Sequence, residues 1–375
     1  MTSSEKNINL IAFDVPYPPD YGGVIDVFYK IKSLHALGVN VHLHCFEYGR
    51  KGADELKSIC SSIHYYSRRT SKSQLFNTYP YIVLSRESDE LKKNLLKNNF
   101  PIFMEGLHST RWLGDPDFGK RKMYVRSHNV EHDYYENLAK VEGNIFKRYY
   151  FYNEAGKLLK YEPVLKNASG IFAISPNDTK YFSSKYEHVH YVTAFHPHET
   201  VTCKTGKGDY AFYHGNLSVG ENNEAALYLV NKVFNDLDQQ LIIAGSKPSD
   251  ELKKIVRTKS NVALHNDLSH DQIQEYIAEA HCNILPTFQS TGIKLKLLSA
   301  LFAGRFCIVN KPMVENTGLE PLCIMANSPE AMKEKVKLVF EKEFTDRERK
   351  KREEILLRDF SNIENGKKIL KVLFL

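Results

Sequence analysis

The 375-residue chain has no apolar run long enough to span a bilayer. Its opening residues, MTSSEKNINLIAFDV, lack the basic stretch and long apolar core of a signal peptide. Both absences predict a cytoplasmic protein. The six cysteines (Cys45, Cys60, Cys203, Cys282, Cys307 and Cys323) contain no pair at metal-finger spacing, and four lie in apolar context. They read as reduced, buried thiols rather than a disulfide framework or a zinc site. Charge of one sign is also scarce. The formal net charge is +6, and residues 1–200 hold 26 Lys+Arg against 22 Asp+Glu. No basic block stands out, which argues against nucleic acid as a partner. The local clusters Lys120-Arg121-Lys122 and Lys147-Arg148 suit peripheral contact with an anionic membrane surface, although such clusters are ordinarily solvated faces.

What is present describes a globular protein: 42% apolar and 26% charged residues, over a length sufficient for two domains. An apolar strand over residues 8–15 is followed by a Gly-containing loop with Gly22-Gly23, a helix over 25–37 and a strand over 39–46. This is the mononucleotide-binding start of a doubly wound fold, without the G-x-G-x-x-G dinucleotide fingerprint. Further strands are expected at 62–66, 101–104, 122–127 and 170–174. A long helical stretch from about 131 to 167 should break at Gly143-Asn144. Its aromatics Tyr149, Tyr150, Phe151 and Tyr152 read mainly as core or interdomain packing. Periodicity fails between Ala194 and Gly208, which places a linker at 196–208 between domains 1–195 and 209–375. Six more strands are expected in the second domain, at 211–214, 240–244, 262–265, 282–286, 306–309 and 322–325. The helices between them start near Asn222, Ser249, Ser269, Thr291 and Ser328, and Ser269-x-x-Gln272 is a capping-box signature.

Residues 282–310, CNILPTFQSTGIKLKLLSALFAGRFCIVN, read as one strand–loop–helix–strand unit of a parallel sheet. Gly292 removes the side chain where its helix, over 293–302, should begin, and Lys294 and Lys296 add positive charge beside that end. A phosphorylated ligand is the natural occupant of such a helix N-terminus. Other strand ends of the second domain carry polar or Gly-containing loops: Gly215-Asn216, Gly245-Ser246-Lys247 and Asn266-Asp267. Ligands of open α/β sheets bind outside such carboxyl ends. In the first domain, His128 closes a strand at the equivalent edge, where it is placed to hold a ligand hydroxyl. His128-Asn129-Val130-Glu131-His132 nominally matches H-x-x-E-H, but the strand end at His128 separates the two imidazoles, so zinc is not expected. Asp115-Pro116-Asp117 reads as a turn. The pairs His42/His44 and His188/His190 alternate on strands and read as satisfied polar faces rather than metal ligands.

The motifs RSHNVEHDYY (126–135), FYHGNLSVGENNEAA (212–226) and TGIKLKLLSALFAGR (291–305) resemble GT-B glycosyltransferases of the retaining family four type, over almost the whole chain. The likeness is greatest to the bacterial branch of mannosyl- and glycosyltransferases that build surface polysaccharides and glycoproteins. The resemblance implies an α/β fold of two facing Rossmann-like domains with parallel sheets and an interdomain cleft. It implies a nucleoside-diphosphate sugar as co-substrate, a glycan or lipid-linked acceptor, and no cofactor or metal. By the same resemblance His128 lies at the reaction centre. The resemblance puts Gly22, Gly23 and the Thr291, Gly292, Ile293 junction at the donor. With the strand-end loops and the basic helix start, donor contacts are expected at these and at Gly215, Asn216, Ser246, Lys247, Asn266, Lys294, Lys296 and Ser299, and acceptor-side contacts at Tyr21, Arg126 and Glu131. The chain departs from the family at Thr291 and Ser299, where two Glu are usual, and at Asn216 and Glu221, where Arg and Lys are usual. Lys294, Lys296 and Arg305 would then supply the charge, and Ser299 a bond to a ribose hydroxyl. The alternatives are a non-catalytic scaffold of the same fold, or a sugar-nucleotide epimerase.

Overall fold

The computed structural model describes residues 5–288 and 295–374. The chain divides into two compact units, Met1–Pro197 with Phe360–Leu375, and His198–Asp359.

The first unit is built on a parallel sheet of β1 (Lys6–Ala12), β2 (Val39–Glu47), β3 (Ser62–Ser67), β4 (Ile102–Glu105), β5 (Met123–Ser127), β6 (Gly170–Ala173) and β7 (Val189–Tyr191), in the order β3-β2-β1-β4-β5-β6-β7. The central strands are buried on both faces, as parallel strands covered by helices must be. Ile11, Met104 and Val125 point into one core layer, and Leu10, Phe103 and Phe172 into the other. The strand order reverses between β1 and β4, so the connections leave in opposite directions and open a crevice at the carboxyl ends of these two strands. Helix α1 (Gly22–Ala36) starts there. The predicted break at Gly143-Asn144 separates α2 (Glu131–Val141) from α3 (Ile145–Tyr161), with the Asn144 side chain accepting from the N–H groups of Phe146 and Lys147.

The second unit repeats the plan with β8 (Tyr210–His214), β9 (Gln240–Ala244), β10 (Val262–His265), β11 (Cys282–Leu285), β12 (Phe306–Val309) and β13 (Ile324–Met325), ordered β10-β9-β8-β11-β12-β13. Between its strands lie α4 (Gly220–Tyr228), α5 (His270–Glu279) and α6 (Leu295–Ala303). The capping box is formed: the Ser269 hydroxyl accepts from Gln272 N–H, and the Gln272 side chain accepts from Ser269 N–H.

Two expectations about domain limits are corrected. Residues 198–208 are not a free linker. Thr202 N–H donates to Phe302 O at 2.8 Å, Cys203 is buried, and Gly206 bridges Phe344 antiparallel, so the segment is stitched into the second unit. The carboxyl-terminal helix α7 (Asn362–Phe374) belongs to the first unit, not the second. Its stripe of Ile369, Leu370 and Leu373 completes the core on the α1 side, and Gly366 lets the helix approach Leu37, whose methyl would stand 2.7 Å from an added Cβ. Asn362 fixes its start by exchanging hydrogen bonds with the backbone of His196.

Candidate functional site

Sequence places Gly22 and Gly23 in a loop, but the structure puts them in the first turn of α1. The N-cap residue Tyr21 is extended and gives no side-chain cap, and the first turn holds no acidic residue. The opening N–H groups of this fifteen-residue helix therefore lack the usual side-chain acceptor. Tyr21 is exposed, and its hydroxyl donates to Asp14 Oδ2 at 2.9 Å. Gly23 leaves room for the Phe13 ring. A Cβ there would lie 2.6 Å from Phe13 Cζ, and the Phe13 ring in turn meets the His128 ring edge-on at 5.5 Å.

His128 follows β5 directly and is largely buried. Its Nε2 lies 3.0 Å from Glu105 Oε2, at the end of β4, and 4.0 Å from Asp26 Oδ2, on α1. Lys30, one turn beyond Asp26, donates to both Glu105 oxygens at 2.7 and 2.8 Å and to Asp26 Oδ2 at 2.8 Å. Arg126, from β5, reaches Asp26 Oδ1 at 3.0 Å. Two acids, two permanent cations and one imidazole are thus buried together, each charge with a partner, as the cost of desolvation demands. Burial alone would raise the Asp26 carboxyl, but Arg126 and Lys30 outweigh it and hold the group well below the ordinary carboxylate range. Asp26, Glu105 and His128 present ligand atoms within 4.8 Å of one another, the one such group among the described residues. The Lys30 ammonium already sits where a metal would bring positive charge.

This geometry corrects two acceptor-side expectations. Arg126 is wholly buried, spending its remaining donors on the carbonyls of Val192 and Thr193, at 2.5 and 2.9 Å. It cannot reach an acceptor. Glu131 opens α2 but is buried; its Oε1 lies 4.0 Å from His108 Nδ1 and that oxygen has no hydrogen-bond partner among the described residues. Burial, aided by nearby Asp178, pushes its carboxyl up to about 8. The H-x-x-E-H pattern divides: His128 pairs with Glu105, while His132 Nδ1 lies 3.3 Å from Glu162 Oε2. Asp115-Pro116-Asp117 is a turn capped by Asp115 and bridged by Lys92.

In the second unit, Gly215 and Gly245 make the first two βα loops touch. A Cβ on Gly245 would fall 2.0 Å from Gly215 O, a position no side chain can share. Leu217 N–H donates to Ser246 O, and Asn216 Oδ1 accepts from Ser218 and from the Ser246 hydroxyl at 3.1 Å. Asn216, Ser246, Lys247 and Asn266 are all exposed at this edge. Lys247 holds a left-handed φ of 52°, and Asn266 donates to Asp267 at 2.7 Å. Lys296, half-buried in the first turn of α6, donates to Asn222 Oδ1 at 2.7 Å and stands 5.3 Å from the Tyr213 ring centre. These residues do gather at one sheet edge. Ser299 is buried instead, with its hydroxyl 3.0 Å from His198 Nε2. Arg305 is corrected: its guanidinium donates to the carbonyls of Ala278, Glu279 and Ala280, capping the end of α5. Thr291, Gly292, Ile293 and Lys294 lie outside the described residues.

Sequence reading missed Asp26, Lys30 and Glu105. The available signals were an Asp-x-x-x-Lys pair within an otherwise apolar helix stretch, and a Glu ending the apolar run PIFME.

Residues 208–342 match the family model described as Glycosyl transferases group 1. A 44.6 kDa protein of the cps region of Klebsiella pneumoniae is 25% identical over 330 residues, covering 83% of this chain and 84% of that protein. Among solved structures, TarM superposes with a TM-score of 0.70 at 10% identity, over 99% of both chains. HepE of Anabaena, solved with UDP and glucose, gives 0.67 at 9% identity, over 98% of this chain and 99% of that one. The chain thus has the GT-B architecture of two parallel-sheet Rossmann-like domains, and its second domain matches the glycosyl transferases group 1 family.

Proposed function

We propose that the protein is a retaining glycosyltransferase. It moves a hexose, mannose among the candidates, from a nucleoside-diphosphate donor to a glycan or lipid-linked acceptor in bacterial surface polysaccharide or glycoprotein synthesis. The observation that carries this reading is the carboxyl edge of the second unit. There two glycine-tightened βα loops, exposed Asn216, Ser246 and Lys247, and the Lys296 ammonium converge within the region matching the transferase family. Such an edge suits a diphosphate, whose charge grows as the sugar leaves. A TarM variant of S. aureus and HepE were both solved with UDP, which makes a UDP-sugar the first donor to try, ahead of a GDP-mannose-type donor. In this reading the Glu105 carboxylate fixes the His128 ring, His128 bonds a hydroxyl of the transferred sugar, and no side-chain nucleophile is used. On this reading the reaction is metal-independent, which is supported by the Lys30 ammonium already lying against Asp26 and Glu105, the acids of the candidate ligand group. Peripheral contact with the cytoplasmic face of the inner membrane fits the lipid-linked acceptor, and no helix among the described residues is long and apolar enough to cross a membrane.

One observation favours the scaffold alternative: the family's second Glu position holds Ser299, whose hydroxyl is engaged by His198. The epimerase alternative loses support, because its carboxylates near the sugar would be Glu105 and Asp26, both neutralised by Lys30, or buried Glu131.

A thermal-shift panel with UDP, GDP, ADP and dTDP sugars, with and without EDTA, tests the reading. A donor at about one hundred times its dissociation constant adds about 2.7 kcal/mol, a shift of a few degrees. His128→Ala should keep the shift and lose turnover by roughly a hundredfold or more. A shift in the intact protein without any sugar transfer would establish the scaffold.

A further inference from the structure

Helix α3 turns an unusual face outward. Ile145, Tyr149, Tyr152, Gly156 and Leu159 succeed one another at alternating spacings of four and three residues, which aligns them in one stripe. All five are exposed, Ile145 at 63% and Tyr149 at 74%, and neighbouring Phe146 is 82% exposed. The helix's inner face is fully occupied by other residues. Glu154, Ala155 and Leu158 are buried, and Phe151 packs against Tyr135 of α2 at 5.9 Å. The outer stripe is therefore surplus to the core. The segment tied to α3 by the bond from Lys157 Nζ to Leu75 O, at 2.7 Å, adds one more exposed ring, Phe76, at 92%. Contiguous exposed apolar surface of this kind marks an interaction site.

We propose that the α2–α3 hairpin of the first unit docks on an anionic lipid surface through this outer face of α3. The flanking charge selects the occupant. Arg148 and Lys160 are exposed on either side of the stripe, while the single acid of α3, Glu154, is buried and paired with Lys157. A second copy of the helix would bring the same positive charges against these. A surface of anionic headgroups complements them, and aromatic rings settle at the headgroup level. The short turn at Gly143-Asn144 extends the patch with exposed Val141 and Lys140 at the end of α2. The other basic cluster does not compete: Arg121 is spent on the carbonyls of Phe100 and Leu95. Helix α2 begins three residues after His128, so docking this hairpin would hold the His128 edge of the unit near the membrane.

Flotation of the full chain with vesicles tests the proposal, using phosphatidylcholine alone and phosphatidylcholine with about 30% phosphatidylglycerol. The intact protein should float with the anionic vesicles and not with the neutral ones. The double variants Phe146→Ser/Tyr149→Ser and Arg148→Glu/Lys160→Glu should each reduce the bound fraction roughly tenfold or more, with melting temperatures unchanged because all four side chains are exposed. No flotation of the intact protein, or flotation of both variants at the level of the intact protein, overturns the proposal. So does a dimer in sedimentation equilibrium that the double serine variant dissociates, since the stripe would then belong to a second copy. The inference stands apart from the transferase reading: a chain that floats but shows no nucleotide-dependent thermal shift keeps this inference and loses that reading.

Discussion

The two sheets share a strand order, yet their carboxyl edges are built on opposite principles. In the first unit the edge is a closed electrostatic cage: Asp26, Lys30, Glu105 and Arg126 are buried and satisfy one another, with His128 at the rim. In the second unit the edge is open and mostly neutral, made of glycines, exposed amides and hydroxyls, with Lys296 tethered by Asn222. A cage fixes one side chain in one orientation, which suits a residue that must meet a reacting group. An open edge of backbone and amides suits a ligand that brings its own charge and must leave again. The same topology thus carries two kinds of edge, and the difference lies in where charge is buried.

The largest expected effect breaks the cage. Lys30→Met leaves two buried carboxylates without their shared cation, and should cost about 3–5 kcal/mol in urea unfolding. A variant as stable as the parent would show that the cage is not what holds the first unit's edge.

Next comes pH. The Glu131 carboxyl titrates near 8 in the folded chain against 4.5 for its ordinary value. Because the folded value is the higher one, its contribution to stability is complete below the ordinary value and is lost as pH rises through the folded one. Glu131→Gln should therefore gain on the parent by about 2–4 kcal/mol between pH 5 and pH 8. Parallel stability profiles for the two proteins would refute the assignment.

In the second unit, Gly245→Ala places a methyl against Gly215 O and should cost about 1–3 kcal/mol. Circular-dichroism melting would read this, and the nucleotide-induced shift should fall with it. The smallest effect on stability is expected for Lys296→Ala, within about 1 kcal/mol, but it should lower turnover roughly tenfold if the ammonium stabilises the departing diphosphate. An unchanged rate at saturating donor would remove Lys296 from the open edge's chemistry and sharpen the contrast toward backbone contacts alone.

Much of this is legible in the sequence. The alternation of short apolar runs with helical periods located both parallel sheets, because a strand covered on both faces must be apolar throughout. Ser269-x-x-Gln272 gave its capping box, and Gly143-Asn144 its helix break, since these signals act through neighbours in the chain. Arg126 and Arg305 were misjudged for the converse reason. Their charge suggested ligand contacts, but each is consumed by carbonyls and carboxylates distant in sequence. The aromatics of α3 follow the packing expectation only in part: Phe151 packs inward, whereas Tyr149 and Tyr152 are exposed.

Local chemistry along the chain determined the strands, helix starts, glycine-bearing strand ends and the placement of His128 after β5. Those features depend on residues a few positions apart. Only the tertiary structure decided that Asp26, Lys30, Glu105 and Arg126 form one neutral cage, that α7 returns to complete the first unit, and that residues 198–208 belong to the second. Each joins segments up to some 170 residues apart, as in the bond from Asn365 to Thr193. Burial decides whether such a charge or amide is a partner or a ligand contact, and burial is a property of the packed chain.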